Sequence, residues 1–241
     1  MCGRFTLTQT PEAVAEAFDL DEDDMPDFPA RYSIAPAQPV GTIVEDRALN
    51  KRVFRLMRWG LIPSWAKDPS IGAKLINARS ETVTEKPSFR AAFKYRRCLI
   101  PADGFYEWQK AQPGSKQSSK QPFYFSIAGN RLFAFAGLWE SWNDIETCII
   151  LTTSANSLLQ TIHDRMPVIL NREDYGRWLD PSIQDSRVLK ELLQPHPDEP
   201  MQAIPVSTRV NSAKFDDALC LKPQPDAMDG LRSWLCKSST A

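Results

Sequence analysis

The strongest constraint on this chain is the spacing of its apolar segments. Short β-rich runs follow one another through most of the 241 residues, and helical periodicity does not return between them at regular intervals. A doubly wound parallel sheet needs a crossover, usually a helix, between successive strands, so that architecture fits poorly. Strands are predicted at 40–45 and 52–59, joined by a turn near 47–50; the second alternates basic and apolar residues (RVFRLMRW), as a strand with one wet face does. Further strands are predicted at 97–100, 105–109, 123–127, 132–136, 147–152, 167–170 and 203–206. Short helices are predicted at 11–18 with Thr10 as N-cap, at 88–95 with Ser88 as cap, and at 155–162, 172–179 and 186–193. The fold class that follows is α+β: a mostly β core of curved antiparallel sheets with short peripheral helices.

The length suits one large domain, placed at residues 1–221, with a Pro- and Ser-containing tail at 222–241 predicted to be partly mobile. Residues 110–121 (KAQPGSKQSSKQ) are polar and aperiodic and are predicted to form a flexible loop. No apolar run approaches the ~20 residues that span a bilayer, and no basic-then-apolar leader precedes Cys2; no membrane partner is expected. The five cysteines (Cys2, Cys98, Cys148, Cys220, Cys236) are widely spaced and contain no C-x-x-C pair. That pattern argues against a zinc cage and for a reducing compartment, cytoplasmic or nuclear. No metal or cofactor is expected. Cys98 and Cys148 lie in apolar runs and are predicted to pack.

Net charge is −1, yet the charge is unevenly placed. Between Arg47 and Arg97 there are 13 Lys and Arg against three acids, a local net of +10, whereas Glu12 to Asp27 holds eight acids and no base. A basic zone inside a neutral chain can bind phosphates locally; the alternative is a solvated strand face.

Four places carry candidate chemistry. Cys2, once Met1 is removed, presents an amine and a thiol on adjacent carbons. The amine can attack an aldehyde, and the thiol can close on the resulting imine to a five-membered thiazolidine at high effective concentration. His163 ends a predicted helix in TIHDRMP, a place where a general acid or base is often held; the alternative is a capping or core histidine. Glu107 lies among aromatic residues in GFYEW, where a carboxyl can keep its proton, although the alternation does not decide which face it takes. Asn77 and Arg79, two apart on an extended segment, share a face, and Arg79 can grip a phosphate bidentately. Trp59 is predicted to pack in the core. Trp65, after Pro63 in a loop of the basic zone, is the better candidate for stacking on bases.

Together MCGRF, RYSIAPAQ, RWGLIPSWAKD, NARSET, RRCLIPADGFYEW, FAGLW, TTSAN and HDRMPVIL resemble the SOS-response-associated peptidase (SRAP) family of abasic-site processing proteins, in family order from Cys2 to about Leu170. A weaker echo follows at VSTRVNSAKFD. The resemblance implies a protein that senses abasic sites in single-stranded DNA and crosslinks to them through Cys2 as a thiazolidine. It implies catalytic roles for Cys2, Asn77, Glu107 and His163, with Asn77 positioning the N-terminal amine and Glu107 and His163 moving protons. It places Arg4, Trp65, Arg79 and Arg165 against DNA. Removal of Met1 by the chain itself and an AP-lyase-type β-elimination are further activities it suggests.

Two other classes of function remain at this point. The Met-Cys-Gly start is shared with N-terminal-nucleophile hydrolases of the glutamine amidotransferase kind, in which the thiol attacks an amide; their further motifs are missing here. A non-catalytic single-strand binding module would use the basic zone and Trp65 and leave Cys2 idle.

Overall fold

The structure is a computed structural model and describes residues 2–109 and 120–224. Most of the loop predicted at 110–121, and of the tail predicted at 222–241, lies outside the described residues. Its strands are β1 (Phe5–Leu7), β2 (Arg31–Ile34), β3 (Pro39–Asp46), β4 (Lys51–Trp59), β5 (Asn77–Arg79), β6 (Arg97–Ala102) and β7 (Gly104–Trp108). They continue with β8 (Pro122–Ile127), β9 (Phe133–Trp142), β10 (Ile145–Ser154), β11 (Arg165–Pro167), β12 (Ile169–Leu170) and β13 (Met201–Pro205). The α-helices are short: α1 (Pro11–Phe18), α2 (Arg90–Tyr95), α3 (Ser157–Gln160), α4 (Tyr175–Leu179) and α5 (Ser186–Glu191).

Two sheets form. One has five antiparallel strands in the order β13-β8-β7-β1-β2. In the other, the pairings run β4–β3–β6–β9–β10 and return to β4, closing a ring of five strands. Closure removes the exposed edges that invite aggregation. The ring is mixed rather than antiparallel: β10 runs parallel to β4 at Thr147↔Arg58 and parallel to β5 at Ile150↔Asn77. The other pairings are antiparallel, so the parallel contacts of β10 are a local addition to the expected antiparallel core. The mostly β architecture with curved sheets and short helices is otherwise as expected.

The aromatic residues lie between the sheets. Phe5 of β1 makes edge contacts with Trp59 and Phe135 at 5.2 and 5.7 Å, and Phe105 of β7 stacks on Phe125 at 5.3 Å. Trp59 is fully buried, and so are Cys98 and Cys148. Gly104 is a strand position under close approach: a Cβ there would lie 2.1 Å from the Tyr124 hydroxyl. Asp103, just before it, accepts hydrogen bonds from the Thr6 hydroxyl and from the Thr8 backbone N–H (2.5 Å) and hydroxyl (2.6 Å), which holds β1 in register with β7.

Several boundaries differ from the sequence expectation. Ser88 does not cap a helix; α2 starts at Arg90 and has no side-chain cap. β9 and β10 run to Trp142 and Ser154 because each is paired along its length, so pairing extends them past their apolar cores. The strand expected at 167–170 is split by Val168, whose N–H bonds Leu151 and whose carbonyl bonds Ala136. In the predicted tail, Lys222 and Pro223 are tied in by Ser207 N–H and by a bridge to Val206.

Part of the basic zone is engaged within the protein. Lys51 pairs with Asp24, Arg52 with Asp19, Arg55 with Asp46 and Glu146, and Arg96 with Glu140. Arg97 is buried and donates to the carbonyls of Phe93, Lys94, Trp178, Asp180 and Ile183, binding α2 and α4 to the ring. Removing it leaves several buried acceptors unsatisfied, at about 1–3 kcal/mol each. Arg97→Ala should therefore lose at least about 3 kcal/mol in urea unfolding; a loss below 1 kcal/mol would show that water replaces the guanidinium there.

Candidate active site

Four elements converge on the first residues of the chain. Cys2 leads into β1, and β1 pairs with β7 through Phe5↔Phe105 and through Tyr106 N–H to the Arg4 carbonyl at 2.9 Å. That register brings Glu107 alongside the N-terminal segment. From the other sheet, Asn77 opens β5 and donates from Nδ2 to the Cys2 carbonyl at 2.7 Å. β10 joins the remaining pieces, pairing with β5 on one edge and, through Ser154↔Arg165, with β11, which follows His163.

Cys2 is fully buried, and its Sγ lies 3.9 Å from the Arg4 carbonyl. Burial pushes the thiol far above its ordinary pKa, and the nearby Glu107 carboxylate pushes in the same direction. The sulfur is therefore a neutral thiol at neutral pH. Glu107, also buried, has its own carboxyl raised, first by desolvation and in smaller part by Asp164. The sequence left the face of Glu107 undecided, and the structure turns it inward. Such a carboxyl retains its proton to higher pH and can serve as a proton donor.

Asn77 uses only half of its amide. Its Nδ2 is engaged by Cys2, while its Oδ1 is buried and accepts no hydrogen bond. That oxygen is an unused acceptor beside the N-terminal segment. His163 is half-buried; its Nδ1 accepts the Arg165 backbone N–H at 3.0 Å and lies 3.1 Å from Asp164 Oδ1. With Nδ1 accepting, the neutral ring carries its proton on Nε2. Asp164, not singled out from the sequence, can then support the charged ring from the same side. Its position next to His163 in the motif was the available signal.

The residues expected on DNA fall into two groups. Trp65 and Arg79 are exposed. Arg4 and Arg165 are engaged inside the protein. Arg4 is buried, and its Nη1 donates to Ser33 Oγ at 2.7 Å and to the Val210 carbonyl at 3.0 Å. Its charge joins β2 to the turn at 208–211, and the position of the motif gave no hint of this. Arg165 is paired with Glu81. Among the described residues no cluster of three or more His, Cys, Asp or Glu is arranged to hold a metal ion, and no helix is long and apolar enough to cross a membrane.

A closed β ring flanked by a five-stranded sheet, with a polar constellation assembled around its N-terminal cysteine, defines the class of protein. The chain belongs to the SOS response associated peptidase (SRAP) family, which matches residues 1–213. It is 47% identical over 221 residues to the abasic site processing protein YoqW of Bacillus subtilis, covering 89% of this chain and 96% of that protein. It is 32% identical over 267 residues to the abasic site processing protein HMCES of Xenopus tropicalis, covering 92% of this chain and 78% of that one. A solved structure of a Bacteroides thetaiotaomicron protein superposes with a TM-score of 0.79 at 27% identity, covering 92% of this chain and all of that one.

The raised Glu107 carboxyl has a consequence for stability. Between the ordinary carboxylate value of 4.5 and its raised folded value, the folded state holds a proton that the unfolded state has released. Stability therefore falls as pH rises through that window, by about 1.4 kcal/mol per unit of pKa difference. Glu107→Gln removes the cost. The variant should match the parent near pH 4 and exceed it increasingly toward neutrality in urea midpoints; a difference that does not change with pH would contradict the raised carboxyl.

Proposed function

We propose that this protein captures abasic sites in single-stranded DNA by forming a covalent thiazolidine at Cys2 after Met1 is removed. The observation that carries the reading is the pinned N-terminal segment: Asn77 holds the Cys2 carbonyl at 2.7 Å, and the buried Glu107 carboxyl stands near Cys2. An aldehyde-capturing N-terminus needs that arrangement. The names of the relatives from Bacillus subtilis and Xenopus tropicalis, both abasic site processing proteins, support the substrate.

The chemistry follows from the state of each group. An abasic deoxyribose is mostly a closed hemiacetal, so its ring must open before attack. Glu107, holding a proton, donates to the ring oxygen as the C1′–O bond breaks, and the aldehyde forms as the C1′ hydroxyl gives up its proton. The Cys2 α-amine then adds to C1′, and the carbinolamine loses water to give an imine. The Asn77 Oδ1 that accepts no hydrogen bond is suited to hold that amine with its lone pair toward C1′. The amine makes the first lasting bond, because only nitrogen can form the imine to which the sulfur later adds. The S–H then adds across the C=N bond: sulfur bonds to C1′ and the proton ends on nitrogen. The product is protein plus DNA minus one water. His163 exchanges protons with the sugar during opening and dehydration. Exposed Trp65 and Arg79 supply stacking and phosphate contact for the strand.

An imine at Cys2 would also permit β-elimination at the 3′ side; closure to the thiazolidine removes the imine and suppresses it.

The test is intact mass and denaturing gels with Met1-free protein and a single-stranded oligonucleotide carrying one abasic site. The expected adduct has the mass of protein plus DNA less one water. Cys2→Ala should abolish it and keep noncovalent binding. Glu107→Gln and His163→Ala should slow adduct formation on the order of 100-fold while remaining folded. An adduct of the same mass from Cys2→Ala, or parental rates in both of the other variants, would refute the assignments.

A further inference from the structure

Arg165 does not wait in the open for a ligand. Its Nη1 and Nη2 donate to the two carboxylate oxygens of Glu81 at 2.5 and 2.9 Å, and Nη2 also donates to the Thr152 carbonyl at 2.7 Å. A planar guanidinium facing two oxygens of one anion is the geometry such a group adopts on a phosphodiester. The Glu81 side chain is 51% exposed and that of Arg165 is 15% exposed. The carboxylate thus forms the solvent side of the pair, where an arriving phosphate would have to bind. Arg79, exposed and two residues from Glu81, pairs by register with Thr152, the residue whose carbonyl also holds Arg165. The Arg165 hydrogen bond keeps the Glu81 carboxyl below its ordinary range, with smaller help from Arg79, so it is an anion at neutral pH. A third cation, Lys190, donates from Nζ to the Glu81 backbone carbonyl at 3.3 Å. The Glu81 carboxylate therefore faces Arg165 and feels Arg79, while Lys190 holds its backbone, just past the strand that carries Asn77.

We infer that Glu81 is a built-in substitute for a DNA phosphate, occupying the Arg165 guanidinium in the DNA-free protein and exchanging with a backbone phosphate when a strand is seated in the site. This rests on the capture reading above and adds to it a residue that sets specificity. The exchange makes and breaks no covalent bond. The Glu81 carboxylate turns into solvent, a phosphate takes its two hydrogen bonds, and Arg165 keeps its bond to Thr152. Intact strands, held only by noncovalent contacts, meet one fewer available cation. A strand tethered at Cys2 presents its phosphates at high effective concentration and completes the exchange. Glu81 thereby weakens binding to undamaged DNA more than it weakens capture of the lesion.

Glu81→Gln tests this, because it keeps the shape of the side chain and removes the charge; at a half-exposed position it should fold as the parent does. Titrated with an intact single-stranded oligonucleotide, the variant should bind about three- to tenfold tighter at low salt, and its log K against log salt should steepen by about 0.7, the value for one more phosphate contact on a single strand. The ratio of abasic to intact affinity should fall by the same factor. Glu81→Gln combined with Arg165→Gln should bind no tighter than Arg165→Gln alone, because the carboxylate acts through that guanidinium. Parental affinity and salt slope in Glu81→Gln would overturn the inference and leave Glu81 as a strut for Arg165. A double variant still tighter than Arg165→Gln would also overturn it, making the effect general repulsion. The intact-strand titration needs no lesion, so failure of the parent to form any adduct would refute the capture reading while this one is still decided by the titration.

Discussion

The seating of Phe5 between the two sheets is the contact on which the rest of the structure depends. Its ring lies against Trp59 and Phe135, both from the closed ring, while its backbone pairs with β7 and β2 of the other sheet. Only Gly3 and Arg4 separate it from Cys2. An N-terminus is ordinarily the most mobile part of a chain; here a buried aromatic side chain roots it in the core. The bonds beyond Phe5 can then be exact in register: Asp103 fixes Thr6 and Thr8, Asn77 fixes the Cys2 carbonyl, and the Arg4 carbonyl accepts from Tyr106. Burying one Phe of this size is worth about 1.5–3 kcal/mol, enough to order a segment that would otherwise fray.

The charge distribution shows why a count of Lys and Arg overstates a binding surface. The acid-rich stretch from Glu12 to Asp27 and the basic hairpin β3–β4 are largely one another's partners, with Asp19 and Asp24 reaching Arg52 and Lys51. Arg97 is consumed by backbone carbonyls, and Arg96 by Glu140. What the basic zone offers a strand of DNA is the cations outside these contacts, exposed Arg79 among them.

Much of the fold was legible in the sequence, and the reasons are local. The Thr10-Pro11 helix start, the β3–β4 hairpin with its alternating residues, and the apolar runs of β6, β8 and β10 each follow from neighbouring residues. What was not legible depends on partners distant in sequence. β1, β2 and β5 are three or four residues long and exist only because other strands border them. The parallel pairings of β10, the burial of Arg4 against Val210, and the inward turn of Glu107 have the same origin. At the candidate site, the motifs pointed to Cys2, Asn77, Glu107 and His163, but not to Asp164 or Glu81, whose importance lies in what they face.

The site also shows a conflict between reactivity and burial that its chemistry resolves. Burial makes Cys2 a poor thiolate and Glu107 a poor carboxylate, each costly to hold in a folded chain. A nucleophile for an ester or amide would need the opposite. Aldehyde capture tolerates a neutral thiol, because the α-amine makes the first bond and the sulfur adds afterward, intramolecularly, to an electrophilic imine. It benefits from a protonated carboxyl, since sugar opening and carbinolamine dehydration both need an acid. The raised carboxyl and the raised thiol share one cause, burial at the same place, and for the proposed capture reaction that burial favours the acid without barring the later addition of sulfur.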